Sequence, residues 1–81
     1  MRVTVLLFGP QAAAMNAPRI EVETPTPATP VSLLASIAAQ HPTLAPTLAA
    51  TRVARNGAFA RPDEPLNPAD ELALIAMVSG G

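Results

Sequence analysis

Cysteine, lysine, tryptophan and tyrosine are all missing from these 81 residues. Without cysteine there is no disulfide, no thiolate metal site and no sulfur nucleophile. Without lysine, the N-terminal amine is the one ordinary amine on the chain, so copies cannot be joined through lysine side chains. Aromatics amount to Phe8 and Phe59, which leaves Val, Leu, Ile and Ala to build the core. Charge is sparse as well. Only 14% of residues are charged, the net charge is −1, and the basic residues are five scattered arginines: Arg2, Arg19, Arg52, Arg55 and Arg61. A nucleic-acid binder displays a basic stripe, with interleaved aromatics if it takes single strands. Neither is here, and no nucleic-acid partner is expected. The longest apolar stretch, within residues 71–78, is far below membrane-spanning length. The opening run Val3 to Phe8 is shorter than a signal-peptide core and ends in Gly9-Pro10 without a small-residue cleavage site. No membrane partner is expected, and a cytoplasmic location is the default.

What is present reads as one small α+β domain over residues 1–81, with a loose tail at 79–81. Val3 to Phe8 is β-branched at its start and closed by Gly9-Pro10, which predicts a strand. The Ala-rich stretch from Gln11 to Asn16 suits one or two helical turns. Arg19 to Thr24 alternates polar and apolar residues, as a half-buried strand does. The proline-rich stretch from Thr24 to Pro30 is read as a stiff loop rather than a ligand for a proline-binding module. It delivers Thr29 as an N-cap and Pro30 as the first helical residue. Val31, Leu34, Ile37, Ala38 and His41 recur at helical spacing, and Pro42 limits the helix. Another short helical turn fits within residues 43–50. Thr51 to Arg55 predicts a strand, Asn56-Gly57 a hairpin turn and Ala58 to Ala60 the return strand. Residues 71–78 predict the last strand.

Laid beside one another, these elements give a mixed sheet with a helix across one face. Strand parity puts Val3, Val5 and Leu7 on one side, with Leu72, Leu74 and Ala76, against Leu34 and Ile37. The other side then shows Leu6, Phe8, Ile75 and Met77. Apolar residues on a face that no helix covers point to a protein partner.

The catalytic inventory is nearly empty. His41 is read as a helix-end residue complementing the C-terminal dipole rather than as an acid or base. Asp63-Glu64 and Asp70-Glu71 read as solvated loop charges, and no metal site is expected. Attention passes to Gly80-Gly81. A terminal carboxylate can be activated by a nucleotide and become an acyl donor, and a tail without side chains can thread a narrow channel in another enzyme.

Five stretches carry a resemblance. They are Val3-Thr4-Val5-Leu6-Leu7-Phe8-Gly9, Arg55-Asn56-Gly57, Pro65-Leu66, Asp70-Glu71 and Met77-Val78-Ser79-Gly80-Gly81. Together they resemble the MoaD/ThiS sulfur carriers over essentially the whole chain, and most of all the MoaD group, the small subunits of molybdopterin synthase. The resemblance implies a β-grasp, ubiquitin-like fold and a carrier that is not an enzyme on its own. It implies that an E1-like adenylyltransferase uses ATP to adenylate the carboxylate of Gly81, which is then converted to a thiocarboxylate. The carrier, with no bound cofactor, would insert its tail into a MoaE-like large subunit, in a heterotetramer, and give sulfur to a cyclic pterin precursor of molybdopterin. It also implies a partner-binding surface of Phe8, Phe59 and Ile75, continued by Met77, Val78 and Ser79 into the tail. Two departures stand out: Ile75 occupies a position where an aromatic is commoner, and Ala76-Met77 replaces a frequent proline pair. Three other readings stay open: a carrier for thiamine-thiazole, cysteine or another sulfur pathway; a ubiquitin-like interaction module with incidental glycines; and a modifier attached to other proteins through isopeptide bonds.

Overall fold

The computed structural model describes residues 1–77. Strand β1 (Arg2–Leu6) and strand β2 (Arg19–Glu23) alternate exposed and buried positions. They pair antiparallel, with Val3 opposite Val22 and Val5 opposite Ile20. Between them lies α1 (Gly9–Met15), closed by Asn16 in the left-handed conformation. Helix α2 (Pro30–Gln40) follows the proline-rich loop, and a 3₁₀ segment (Ala45–Ala50) leads into β3 (Thr51–Arg55). Strands β4 (Ala58–Phe59) and β5 (Leu72–Ala76) complete a sheet of order β2-β1-β5-β3-β4. Among the described residues, only the β1–β5 pairing is parallel. This is the mixed sheet and single main helix of the β-grasp roll.

Local chemistry accounts for the boundaries. The Thr29 hydroxyl accepts the Ser32 N–H at 3.2 Å, while the Ser32 hydroxyl accepts the Thr29 N–H at 2.9 Å. That reciprocal cap satisfies donors the first helical turn leaves free. Between β3 and β4, Asn56 (φ 53°) and Gly57 (φ 85°) both take positive φ, the geometry of a type I′ turn. The core gathers the inward sides of β1, β2, β3 and β5 around Leu33, Ile37 and Leu44, each 0% exposed. Burying each such side chain contributes about 1.5–3 kcal/mol.

Several expectations need correction. The helix faces the sheet through Pro30, Leu33 and Ile37, not through a stripe that includes Val31. Val31 is 61% exposed and Leu34 is only partly buried against the core. The Leu33-Leu34 doublet allows either of two stripes about 100° apart, and packing against the core selects the one that points Leu33 inward. Ala76 is exposed rather than packed against Leu34 and Ile37, because it lies at the end of β5, opposite Thr51. Strand β4 stops at Phe59, although the Ala60 N–H still donates to the Val53 carbonyl at 2.9 Å. Met77 lies beyond β5, its N–H donating to the Ala50 carbonyl at 2.6 Å.

Candidate docking face

Alternation along the strands decides what the helix-free face of the sheet displays. Val3, Val5 and Leu7 go inward, so Leu6 and Phe8 go outward. Thr51 and Val53 are buried, so Arg52 and Ala54 face out. Register then sets these residues side by side: Leu6 adjoins Ala73 on β5, Ala73 lies opposite Ala54 on β3, and Ala54 opposite Phe59 on β4. Ile75 lies opposite Arg52. The result is an apolar groove of about 400 Å³ whose lining includes Leu6, Phe8, Ala54, Phe59, Ala73 and Ile75. Phe8 is 54% exposed and Phe59 47%. A monomer gains little from two half-wet phenylalanines on one face, whereas a docking surface uses them as anchors.

Three of the expected partner-binding residues, Phe8, Phe59 and Ile75, therefore line one groove. Met77 is exposed, and it is not among the residues that line the groove. Val78, Ser79, Gly80 and Gly81 lie outside the described residues.

Charge is distributed unevenly over the same face. Its β2 side carries Arg19, Glu21 and Glu23 on the exposed positions of that strand. Glu71 borders the groove near the Asn56-Gly57 turn. At the opposite end Arg52 lays its guanidinium carbon 4.2 Å from the centre of the Phe59 ring, a cation–π contact.

Of the acidic loop residues expected to be solvated, Asp63 and Glu71 are exposed, but Glu64 and Asp70 are tied into a network. Arg55 donates to Asp70 at 2.6 Å and to Glu64 at 3.0 Å. Asp70 also accepts the Asn67 backbone N–H at 2.8 Å and the Asn56 amide at 3.0 Å. The hydrogen bond from Arg55 and then that from the Asn67 backbone hold the Asp70 carboxyl at about 2, against an ordinary 3.8. Glu64 is lowered too, first by the Arg61 backbone N–H and then by Arg55. Arg55 is raised, chiefly by Asp70. Asn56 completes the knot: its N–H donates to the Glu71 carbonyl at 2.8 Å, and its side-chain oxygen accepts the Glu71 N–H at 2.9 Å. One knot thus joins the stretch Arg55-Asn56-Gly57 to the stretch Asp70-Glu71 and fixes the hairpin against the start of β5, at the end of the groove lined by Gly57 and Glu71.

His41 caps α2, and its Nε2 lies 3.0 Å from the Glu21 carbonyl. As an N–H donor it ties the helix end to β2, a tertiary link that dipole reasoning alone does not supply. A polar residue that the sequence pattern does not single out is Gln11. It is 1% exposed, and its amide donates to the Thr47 and Thr51 hydroxyls at 2.9 and 3.0 Å. That bond braces α1 against the strand that leads out beside β5. Its only signal in the sequence is a lone amide at the head of an alanine run. Among the described residues, no group of three His, Cys, Asp or Glu is placed to hold a metal ion, and no helix is long and apolar enough to cross a membrane.

A sequence profile of the ThiS family matches residues 5–81. The chain belongs to the ThiS family. It is thus one of the ThiS/MoaD-type, ubiquitin-like sulfur carriers, with the sheet order and uncovered face described above. No curated protein matches the chain. Solved structures do. SAMP1 from Haloferax volcanii is 28% identical over the whole of both chains, with a TM-score of 0.80. A putative molybdopterin converting factor subunit 1 from Pyrococcus furiosus is 22% identical over 96% of this chain and 99% of that one, with a TM-score of 0.81. A complex of subunits 1 and 2 of the molybdopterin-converting factor from Helicobacter pylori provides a chain 24% identical over the whole of both, with a TM-score of 0.64. The last two likenesses bear on the fold alone.

Proposed function

We propose that this ThiS-family protein is the sulfur-donating small subunit of a molybdopterin synthase. The observation that carries the proposal is the groove of Phe8, Phe59 and Ile75 on the helix-free face, beside the strand that leads to Gly80-Gly81. In this reading an E1-like enzyme joins the Gly81 carboxylate to the adenylate of ATP, releasing pyrophosphate. Sulfide-level sulfur from a donor then attacks the acyl carbon, the acyl–phosphate bond breaks, AMP leaves and a thiocarboxylate remains. A thiocarboxylate is ionised at neutral pH and is a soft nucleophile, so the carrier supplies no base. A MoaE-like large subunit, in a heterotetramer in the cytoplasm, seats on the groove and supplies the acids and bases for sulfur transfer to a cyclic pterin precursor. Val78 and Ser79 form part of the inserted tail, and Met77 stands at its root. The arrangement proposed is that of the Helicobacter pylori structure, in which a chain of the same fold is paired with a second subunit.

The experiment is intact-mass spectrometry after incubation with an E1-like enzyme, ATP and a sulfur donor. Exchange of one oxygen for sulfur at Gly81 is expected, together with molybdopterin formation once a large subunit and the pterin precursor are added. Deletion of Gly81 should abolish both and leave the thermal midpoint unchanged. Full activity in that variant would sink the proposal. A second reading, attachment to other proteins, rests on the 28% likeness to SAMP1, a small archaeal modifier protein. It predicts covalent conjugates in denaturing gels in place of molybdopterin.

A further inference from the structure

Arg52 is the charged side chain that breaks the apolar half of the uncovered face. It lies on β3 opposite Ile75, and its guanidinium covers the Phe59 ring at 4.2 Å. It thereby touches one lining residue of the groove and neighbours another. Among the described residues, Arg2, Arg55 and Arg61 each meet a carboxylate within 4.0 Å; Arg19 and Arg52 meet none, and of these two Arg52 is the one held against an aromatic ring of the groove. Its solvated edge is free while its face is held by the ring. Stacking restricts the rotamers of a long side chain, so a carboxylate arriving at that edge finds donors already oriented, and less entropy is lost on pairing.

The far end of the groove has the opposite sign. Glu71 borders it beside the hairpin turn. Ile75 comes four positions after Glu71, and Arg52 lies opposite Ile75, so the backbones of the two residues stand roughly 13 Å apart along the strand, with the Arg52 guanidinium leaning back over Phe59. Along its β3–β5 side the groove is therefore flanked by a cation toward the end of β5 and an anion at the hairpin, while Arg19 stands beside Leu6 on the β2 side.

From this we infer that Arg52 is a specificity-determining residue of the docking face. It takes a carboxylate from the partner, at the end of the groove nearest the tail, and fixes the direction in which the partner lies. The occupant is a protein surface with apolar side chains for the groove, an Asp or Glu facing Arg52 and a basic group facing Glu71. Charges at an interface rim act mainly through encounter rate, orientation and rejection of wrong partners. The inference rests on the proposed docking of a large subunit on this groove.

The test measures binding of the large synthase subunit from the same organism to wild type, Arg52→Leu, Arg52→Lys, Arg52→Glu and Phe8→Ala, at low and high salt. At low salt, Arg52→Glu should bind at least about tenfold more weakly. Arg52→Leu should associate more slowly and lose most of the salt dependence, and Arg52→Lys should keep both the affinity and the salt slope within a few-fold. A residue that merely props up Phe59 would leave the salt slope untouched in Arg52→Leu, and that result would overturn the inference. If Phe8→Ala weakens binding while the three Arg52 variants match wild type, the groove reading stands and this inference fails. If Phe8→Ala has no effect, the docking reading itself fails and takes the inference with it. Self-association that Arg52→Glu abolishes, with no binding to the large subunit, would assign the face to a second copy and also overturn the inference.

Discussion

Replacing Phe8 and Ile37 by alanine, one at a time, separates docking from packing. Ile37 is 0% exposed, whereas Phe8 is 54% exposed. Truncating a fully buried Ile to Ala costs about 2–5 kcal/mol, through lost transfer energy and the cavity left behind. For a domain of this size each kcal/mol moves the melting midpoint by about 4–8 °C, so a mid-range loss of about 3 kcal/mol lowers it by about 12–24 °C. Phe8 has less to lose on folding: with half its surface still in water, the cost should be about 1 kcal/mol, or about 4–8 °C. Binding should rank the two in the opposite order. Aromatic anchors at interface centres cost about 2 kcal/mol or more when truncated, which is about thirtyfold in Kd. Ile37→Ala, which faces the other side of the sheet, should bind normally below its melting temperature. Calorimetry of both variants, alone and with the large subunit, reads all four quantities. Phe8→Ala melting as low as Ile37→Ala, or binding as tightly as wild type, would refute the argument.

Two further outcomes follow from geometry at the hairpin. Asp70 titrates near 2 in the folded chain against 3.8 ordinarily, so its contribution to stability is complete above about pH 4 and is lost as pH falls toward 2. Asp70→Asn should lower the midpoint at neutral pH and flatten its acid limb, and melting curves parallel to wild type across that window would contradict the ion-pair account. Gly57 has φ +85°, with open space where a β-carbon would sit, so Gly57→Ala should cost about 1–2 kcal/mol from backbone strain alone; an unchanged denaturation midpoint would show the turn relaxes freely.

The parts of the fold legible in the sequence were those governed by local chemistry. Thr29-Pro30 announced a helix start, Asn56-Gly57 a tight turn, and the period-two alternation of Arg19 to Glu23 a half-buried strand. Parity went further and put Leu6, Phe8 and Ile75 on the uncovered face. The helix rotation was not legible, because a Leu-Leu doublet among alanines satisfies two stripes equally and only tertiary packing chooses. Nor were the partners of Arg55. Glu64 and Asp70 are distant from it in sequence, and a carboxylate in a loop gives no local sign of the cation that will meet it. Leu44 escaped for the same reason: it lies between helices, outside any periodic run, yet is 0% exposed.

The placement of β5 has a consequence for incomplete chains. The strand that comes latest in the sequence fills the gap between β1 and β3, so a product broken off before Leu72 leaves two open edges where the middle of the sheet should be. It also lacks Ala73 and Ile75, and with them much of the groove wall. Fragments without the final segment thus keep Phe8 and Phe59 but lose the strand that holds them on one continuous surface.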